Sequence, residues 1–235
     1  MNAKDLLIAL FVPLSWGLGF VAAKSGLDHF PPLLIMSLRF FISSFLLVWF
    51  FPLPKGFLVK IFYIAFVSAS LQYGLTFSGL NILDTSTASL LIQTEVIFGI
   101  LTAAIFLKEM PTKKQIVGIL IACIGTIMLL GTPSIEGKTF GAILVLSGAF
   151  CWALGQVMVR SLNGKVNGFT LICWIGIFSS PQMLIMSFFI DGNPIPFILS
   201  ASFINWFTVF YLGVIMTILG YGAWFYILSK YTMPI

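Results

Sequence analysis

The chain has 235 residues, of which 60% are hydrophobic and 8% are charged, with a formal net charge of +5. Soluble domains carry roughly 25% charged residues, and a fold of this length has no interior large enough for so much apolar surface. The composition therefore excludes a water-soluble domain and points to helices that cross a bilayer, where 25 Phe and 21 Gly suit segments that face lipid and pack closely.

A membrane helix takes about 20 mainly apolar residues. In chain order, eight stretches meet that length: Leu6–Gly26, Leu33–Phe51, Phe57–Leu80, Ser86–Leu107, Gln115–Gly131, Phe140–Arg160, Phe169–Ile190 and Phe203–Lys230. The first is read as a helix and not as a cleaved signal, because its apolar run reaches about Ala23, longer than a signal core. The connectors carry turn chemistry, as in Asp28-His-Phe-Pro-Pro32, Pro52-Leu-Pro-Lys-Gly56 and Gly131-Thr-Pro-Ser134. Pro13 and Pro181 fall inside helices, as kinks or hinges.

Charge distribution gives an orientation. Lys4, Lys55, Lys60, Lys108, Lys113, Lys114, Arg160, Lys165 and Lys230, nine of the twelve basic residues, fall on one side if the helices alternate. The other side holds Asp28, Asp84, Glu136 and Asp191, with Lys138 as its clear basic residue. The positive-inside bias then places the N-terminus in the cytoplasm, in an inner membrane. The basic charge is read as a topology signal, and no nucleic-acid partner is expected.

An internal echo follows. Trp16-Gly-Leu-Gly-Phe-Val21, closing with Lys24, recurs as Trp152-Ala-Leu-Gly-Gln-Val157, closing with Arg160. Tyr73-Gly74 with Phe77 recurs as Tyr221-Gly222 with Phe225. The copies begin in the first and sixth helices, so the unit is five helices, and an odd unit inserts its second copy upside down. The expected architecture is an all-α polytopic membrane protein of inverted five-helix repeats, with a first unit over residues 1–132 and a second over 137–235. The counterpart of Thr85–Gly131 would begin near position 233, so eight helices of ten are expected in this chain. Inverted repeats place a transport site at their interface, near the midplane.

The residues also resemble a known family. Ser15-Trp-Gly-Leu-Gly-Phe20 with Lys24, Pro31-Pro32 followed by Arg39-Phe40, Ala88-Ser-Leu-Leu91 with Gln93, and Leu107-Lys-Glu109 are similar to the EamA-type branch of the drug/metabolite transporter superfamily. Cys151-Trp-Ala-Leu-Gly155 and Gly220-Tyr-Gly-Ala-Trp224 resemble bacterial exporters of cysteine and O-acetylserine. The resemblance implies ten helices in two inverted halves and export of small metabolites through a central cavity. Glu95 departs from the pattern, since similar exporters carry an uncharged residue there.

Charges within a membrane need a reason. Glu95 lies mid-helix beside Gln93 and Thr94, and a low-dielectric cavity favours the protonated form of a carboxyl group. It is a candidate for proton coupling or for holding a substrate amine; the plainer readings are an ion pair with Arg39 or a buried protonated acid. Arg39 suits a substrate carboxylate, or a tether to a carbonyl or to Glu95. Lys24 is placed at the pathway or, by snorkelling, at the interface. Gln93 and Gln156 are the further polar contacts, and Trp16, Phe20, Tyr73, Trp152, Tyr221 and Trp224 the aromatic walls, with packing between repeats as their alternative role. Ser147, Cys151 and Gly155 form a small-residue row for close helix approach.

Catalytic chemistry has no candidates. His29 stands alone, Cys123, Cys151 and Cys173 have no metal-ligand spacing, and there is no phosphate loop. No enzyme activity, metal or cofactor is expected. The partners expected are a small-molecule substrate, the lipid bilayer and protons as coupling ion. The function expected is export of amino acids or their derivatives by alternating access; the alternatives are an uptake carrier for a nucleotide-related or drug-like metabolite, or a truncated or split chain that does not transport.

Overall fold

The computed structural model describes residues 3–130 and 136–230. The Gly131–Ser134 connector and the last five residues, over which the two units were drawn, lie outside the described residues. Eight long helices run through the rest. They are α1 (Ala3–Gly26), α2 (Pro32–Leu47), α3 (Leu58–Ile82), α4 (Thr85–Leu107), α5 (Lys113–Leu130), α6 (Thr139–Arg160), α7 (Gly168–Ile190) and α8, which runs through Phe203–Phe210, Tyr211–Leu219 and Gly220–Lys230. Among the described residues, six helices are long and apolar enough to cross a membrane, namely α1, α3, α4, α6, α7 and α8. Helix α2 is apolar but has 16 residues, and α5 has 18.

Local sequence explains most helix ends. Helix α2 begins with Pro32 in its first turn, where proline's fixed φ fits and its missing N–H costs nothing. The Asn167 side chain accepts a hydrogen bond from the Phe169 N–H at 2.9 Å and starts α7. Ser202 accepts from the Asn205 N–H at 3.3 Å and starts α8. Helix α2 stops four residues before the expected Phe51, and Val48–Phe50 turn toward the Pro52-Leu-Pro54 connector. Helices α1 and α7 continue through Pro13 and Pro181.

Three features were not expected. Helix α4 breaks at Gln93 into Thr85–Ile92 and Thr94–Thr102. A short helix, Ile195–Leu199, precedes α8. Wide π turns occupy Phe66–Leu71 in α3, Ala103–Leu107 in α4 and Tyr211–Leu219 in α8. A π turn misaligns the backbone ladder, and hydroxyls supplement it: Ser68 donates to the Ile64 carbonyl at 2.8 Å and Thr217 to the Leu212 carbonyl at 2.8 Å.

The helices pack most extensively in the pairs α2–α7, α3–α6, α4–α6 and α1–α8. The core lies among α1, α2, α3, α7 and α8, around Phe30, Leu34, Met36, Phe77, Leu80, Met183 and Leu212. Glycine sets the close approaches. A Cβ on Gly148 would meet the Thr76 hydroxyl and, at 3.0 Å, the Gln72 carbonyl of α3. On α6 the row that packs on α3 is Gly141, Gly148 and Gly155, with Ala142, Val145 and Ala149 beside it. Ser147 and Cys151 of the expected row are only half-buried.

Contacts recur at the spacing of the sequence echo. Gly19 of α1 sits against Met216 in the π turn of α8, and Gly155 of α6 sits against Ser68 in the π turn of α3. The step from Trp16 to Trp152 carries Gly19 to Gly155, and the step from Tyr73 to Tyr221 carries Ser68 to Met216. The hydroxyls of Tyr73 and Tyr221, 148 residues apart, meet at 3.2 Å.

Replacing Gly148 with Val is expected to lower stability by about 1–3 kcal/mol through overpacking against α3, whereas Gly118→Val on α5, where nothing lies within 4 Å of the added Cβ, is expected to change it little. Thermal melts of both variants in detergent check this.

Candidate functional site

Arg39, on α2, has no exposed surface. Its Nε donates to the Thr217 hydroxyl in the π turn of α8 at 2.8 Å, and its Nη1 approaches the Met36 sulfur at 3.8 Å. The guanidinium carbon lies 4.7 Å from the centre of the Tyr73 ring and 5.2 Å from that of Phe40. Nη2 is buried without a hydrogen-bond partner. No described carboxylate lies within 4.0 Å of the guanidinium, so the ion pair with Glu95 considered from sequence is not formed.

An aromatic chain extends from Arg39 across the bundle. Tyr73 stacks on Phe77, which stacks on Phe20. The Tyr73 hydroxyl meets that of Tyr221, and the Tyr221 ring lies 5.3 Å from the ring of Trp16. Trp16 in turn lies 5.9 Å from Trp224. The Trp16 indole N–H is buried without a partner, over Gly220. Six of the sequence-derived residues thus converge from α1, α2, α3 and α8: Trp16, Phe20, Arg39, Tyr73, Tyr221 and Trp224, while Glu95 lies on α4.

The others lie elsewhere. Trp152 and Gln156 line a cavity of about 230 Å3 between α4 and α6, with Gly99, Ala103, Leu107 and Val157 as walls. Arg160 stands at its rim and forms a 2.6 Å ion pair with Glu109, both largely exposed. Gln93 is exposed at the break in α4. Lys24 spends its ammonium on the end of α3, donating to the carbonyls of Leu80 at 2.6 Å, Asn81 at 2.9 Å and Leu83 at 2.9 Å. That satisfies helix-end carbonyls that would otherwise lack a partner.

Sequence reasoning missed Thr217 and Asp5. Thr217 looks like any apolar-helix threonine until the π turn brings it to Arg39. Asp5 is fully buried and accepts from the Tyr226 hydroxyl at 3.1 Å, tying the start of α1 to α8. The signal for Asp5 was available, as a carboxylate at the edge of an apolar run, but its partner is 221 residues away. Among the described residues no group of His, Cys, Asp and Glu is placed to hold a metal ion.

A bundle of long, apolar helices is the architecture of an integral membrane protein. The chain belongs to the EamA-like transporter family, whose model matches residues 3–131 and again residues 139–234. It is 29% identical over 248 residues to a probable amino-acid metabolite efflux pump of Salmonella typhimurium, covering 98% of this chain and 80% of that protein. A protein described in the same words from Escherichia coli K12 is 29% identical over 98% of this chain and 80% of its own length. An uncharacterized inner membrane transporter of Escherichia coli K12 is 25% identical over 95% of this chain and 73% of its own length. No solved structure matches. The family and these relatives are transporters, not enzymes, so the protein is a membrane transporter of a small molecule.

Lys24→Met should cost about 1–3 kcal/mol by leaving the α3 carbonyls without their donor. Lys138→Met, which removes an exposed 3.5 Å pair with Asp84, should cost no more than about 1 kcal/mol. Denaturant titration of the two purified variants side by side checks the contrast.

Proposed function

We propose that the chain exports amino acids or their small derivatives, cysteine and O-acetylserine among them, across an inner membrane by alternating access. The observation that carries this reading is the buried, unneutralised Arg39 at the meeting of three helices, in a chain whose relatives bear the name of amino-acid metabolite efflux pumps.

The moving parts are two inverted halves, with α1–α5 as one and α6–α8 as the first three helices of the other. Four observations support that division. The family model matches twice; Tyr73 meets its own counterpart Tyr221; the Gly19–Met216 contact has its twin in Gly155–Ser68; and the π turns of α3 and α8 end at corresponding positions, Leu71 and Leu219. A residue that touches its own counterpart lies on the twofold axis, where a midplane site is expected. The positive-inside bias puts the N-terminus, the Arg160–Glu109 pair and the α4–α6 cavity on the cytoplasmic side.

In this mechanism the solute enters past Trp152 and Gln156 of α6, and Gln93 stands at the break in α4, the helix that forms the other wall of that cavity. It then passes to the Arg39 centre, where Trp16, Phe20, Tyr73, Tyr221 and Trp224 form the walls. Glu95 carries the coupling proton or holds the substrate amine, and Lys24 fastens the far end of α3.

The test is loss of labelled O-acetyl-L-serine and L-cysteine from cells that overproduce the chain, against cells with an empty vector. Faster loss that depends on external pH is expected, and Glu95→Gln, with insertion verified, is expected to abolish the pH dependence. A Glu95→Gln protein that exports at the normal rate with the normal pH profile removes Glu95 from the mechanism. No loss above the control for either solute removes this substrate class.

A further inference from the structure

The guanidinium of Arg39 is anchored on three sides and has no partner on the fourth. Thr217 takes Nε, the Met36 sulfur takes one Nη1 hydrogen weakly, and the Tyr73 and Phe40 rings flank it. What remains is the edge carrying Nη2, which is buried and has no partner. A cation removed from water and left without an opposite charge is strongly destabilising, and the side chain has no exposed surface through which to reach water or headgroups.

The anchoring is specific to this place in the fold. Thr217 donates its hydroxyl hydrogen to the Leu212 carbonyl, five residues back along the π turn, which leaves an oxygen lone pair for the Arg39 Nε–H. Without the wide turn, the Thr217 hydroxyl would have the carbonyl four residues back as its local acceptor and would point elsewhere. The steps that relate the two halves carry Arg39 to Ile175 and Thr217 to Ala69. Neither can bind an anion, so the arrangement occurs once and is not an element of the repeat. Gly213 lets α8 come this close, since a Cβ there would stand 3.0 Å from the Arg39 carbonyl.

We propose that the unpaired edge of Arg39, aimed by Thr217, is a receptor for an ionised carboxylate, so that solutes are carried only with that group free and not as the amide or ester. Two N–H groups on one edge of a guanidinium match the two oxygens of a carboxylate. A neutral amide or ester at the same place supplies no counter-charge and leaves the cation uncompensated. The Tyr73–Tyr221 hydroxyl pair beside the guanidinium offers the next polar contact. Thr217 is a positioning residue. The proposal rests on the export reading only for the identity of the solute that bears the carboxylate.

The experiment uses the unmodified protein in proteoliposomes, in chloride-free sulfate buffer, and reads thermal stabilisation together with counterflow of label. The probes are O-acetyl-L-serine, L-cysteine, L-serinamide, L-cysteine ethyl ester, propionate and chloride. The expected result is that the free acids bind at least about tenfold more tightly than the amide and the ester, the order of discrimination a charge-assisted pair supplies. Thr217→Val should raise the KM for the acids severalfold, with little change in maximal rate and no change in the weak binding of the amide. Equal binding of acids and amide, or stabilisation by chloride alone with no carboxylate binding, overturns the proposal. Binding of propionate without either amino acid keeps the carboxylate receptor and discards amino-acid export. Absence of binding by every carboxylate overturns the receptor, whatever export from cells shows.

Discussion

A guanidinium with no exposed surface, set among apolar helices, is the constraint around which the rest of the bundle is arranged. Neither lipid nor lysine-like snorkelling is available to it, so its environment must be built from tertiary contacts. Helix α2 brings it in, the π turn of α8 supplies the hydroxyl, and Tyr73 of α3 and Phe40 supply ring faces. Three helices distant in sequence must therefore dock in register before the charge is tolerated, and α7, packed along α2, holds that register from behind.

Close approach is achieved by glycine and by irregular helix geometry together. Gly19 and Gly155 each admit a side chain from a π turn of a partner helix, Met216 in one case and Ser68 in the other. The hydroxyls of Ser68 and Thr217 supplement the disturbed backbone ladder within the same turns. In a bilayer an unsatisfied carbonyl is costly, which explains why the irregular turns coincide with hydroxyl side chains and with buried packing. The three-way capping of α3 by Lys24 answers the same need at a helix end.

Much of this was legible in one dimension. Apolar run length marked the six helices long enough to cross a membrane, because a bilayer sets a minimum span, and turn residues marked their connectors. Trp16, Tyr73 and Tyr221 stood out through the internal echo, and Trp224 through its place within a helix, away from the interfacial belt where Trp is usually enriched. Lys24 was less legible: its place near the interface suggested snorkelling, and only the end of α3 shows that three carbonyls receive it. Trp152 and Gln156 were grouped with the central aromatics but line a separate cavity, because the α4–α6 contact holds their part of α6 apart from α8. Asp5 and Thr217 escaped notice because their roles depend on partners 221 and 178 residues away.

By itself the sequence determined that the chain is a multi-helix membrane protein, roughly where each helix lies, and which family it resembles. These follow from hydrophobic length and local motif, which are properties of neighbouring residues. The tertiary structure decided that Arg39 is not neutralised by Glu95, that Thr217 aims it, that Lys24 closes a helix end, and that Tyr73 and Tyr221 touch. Each depends on which faces of distant helices meet, and a helix with apolar residues all round gives no periodic signal of the face it will bury.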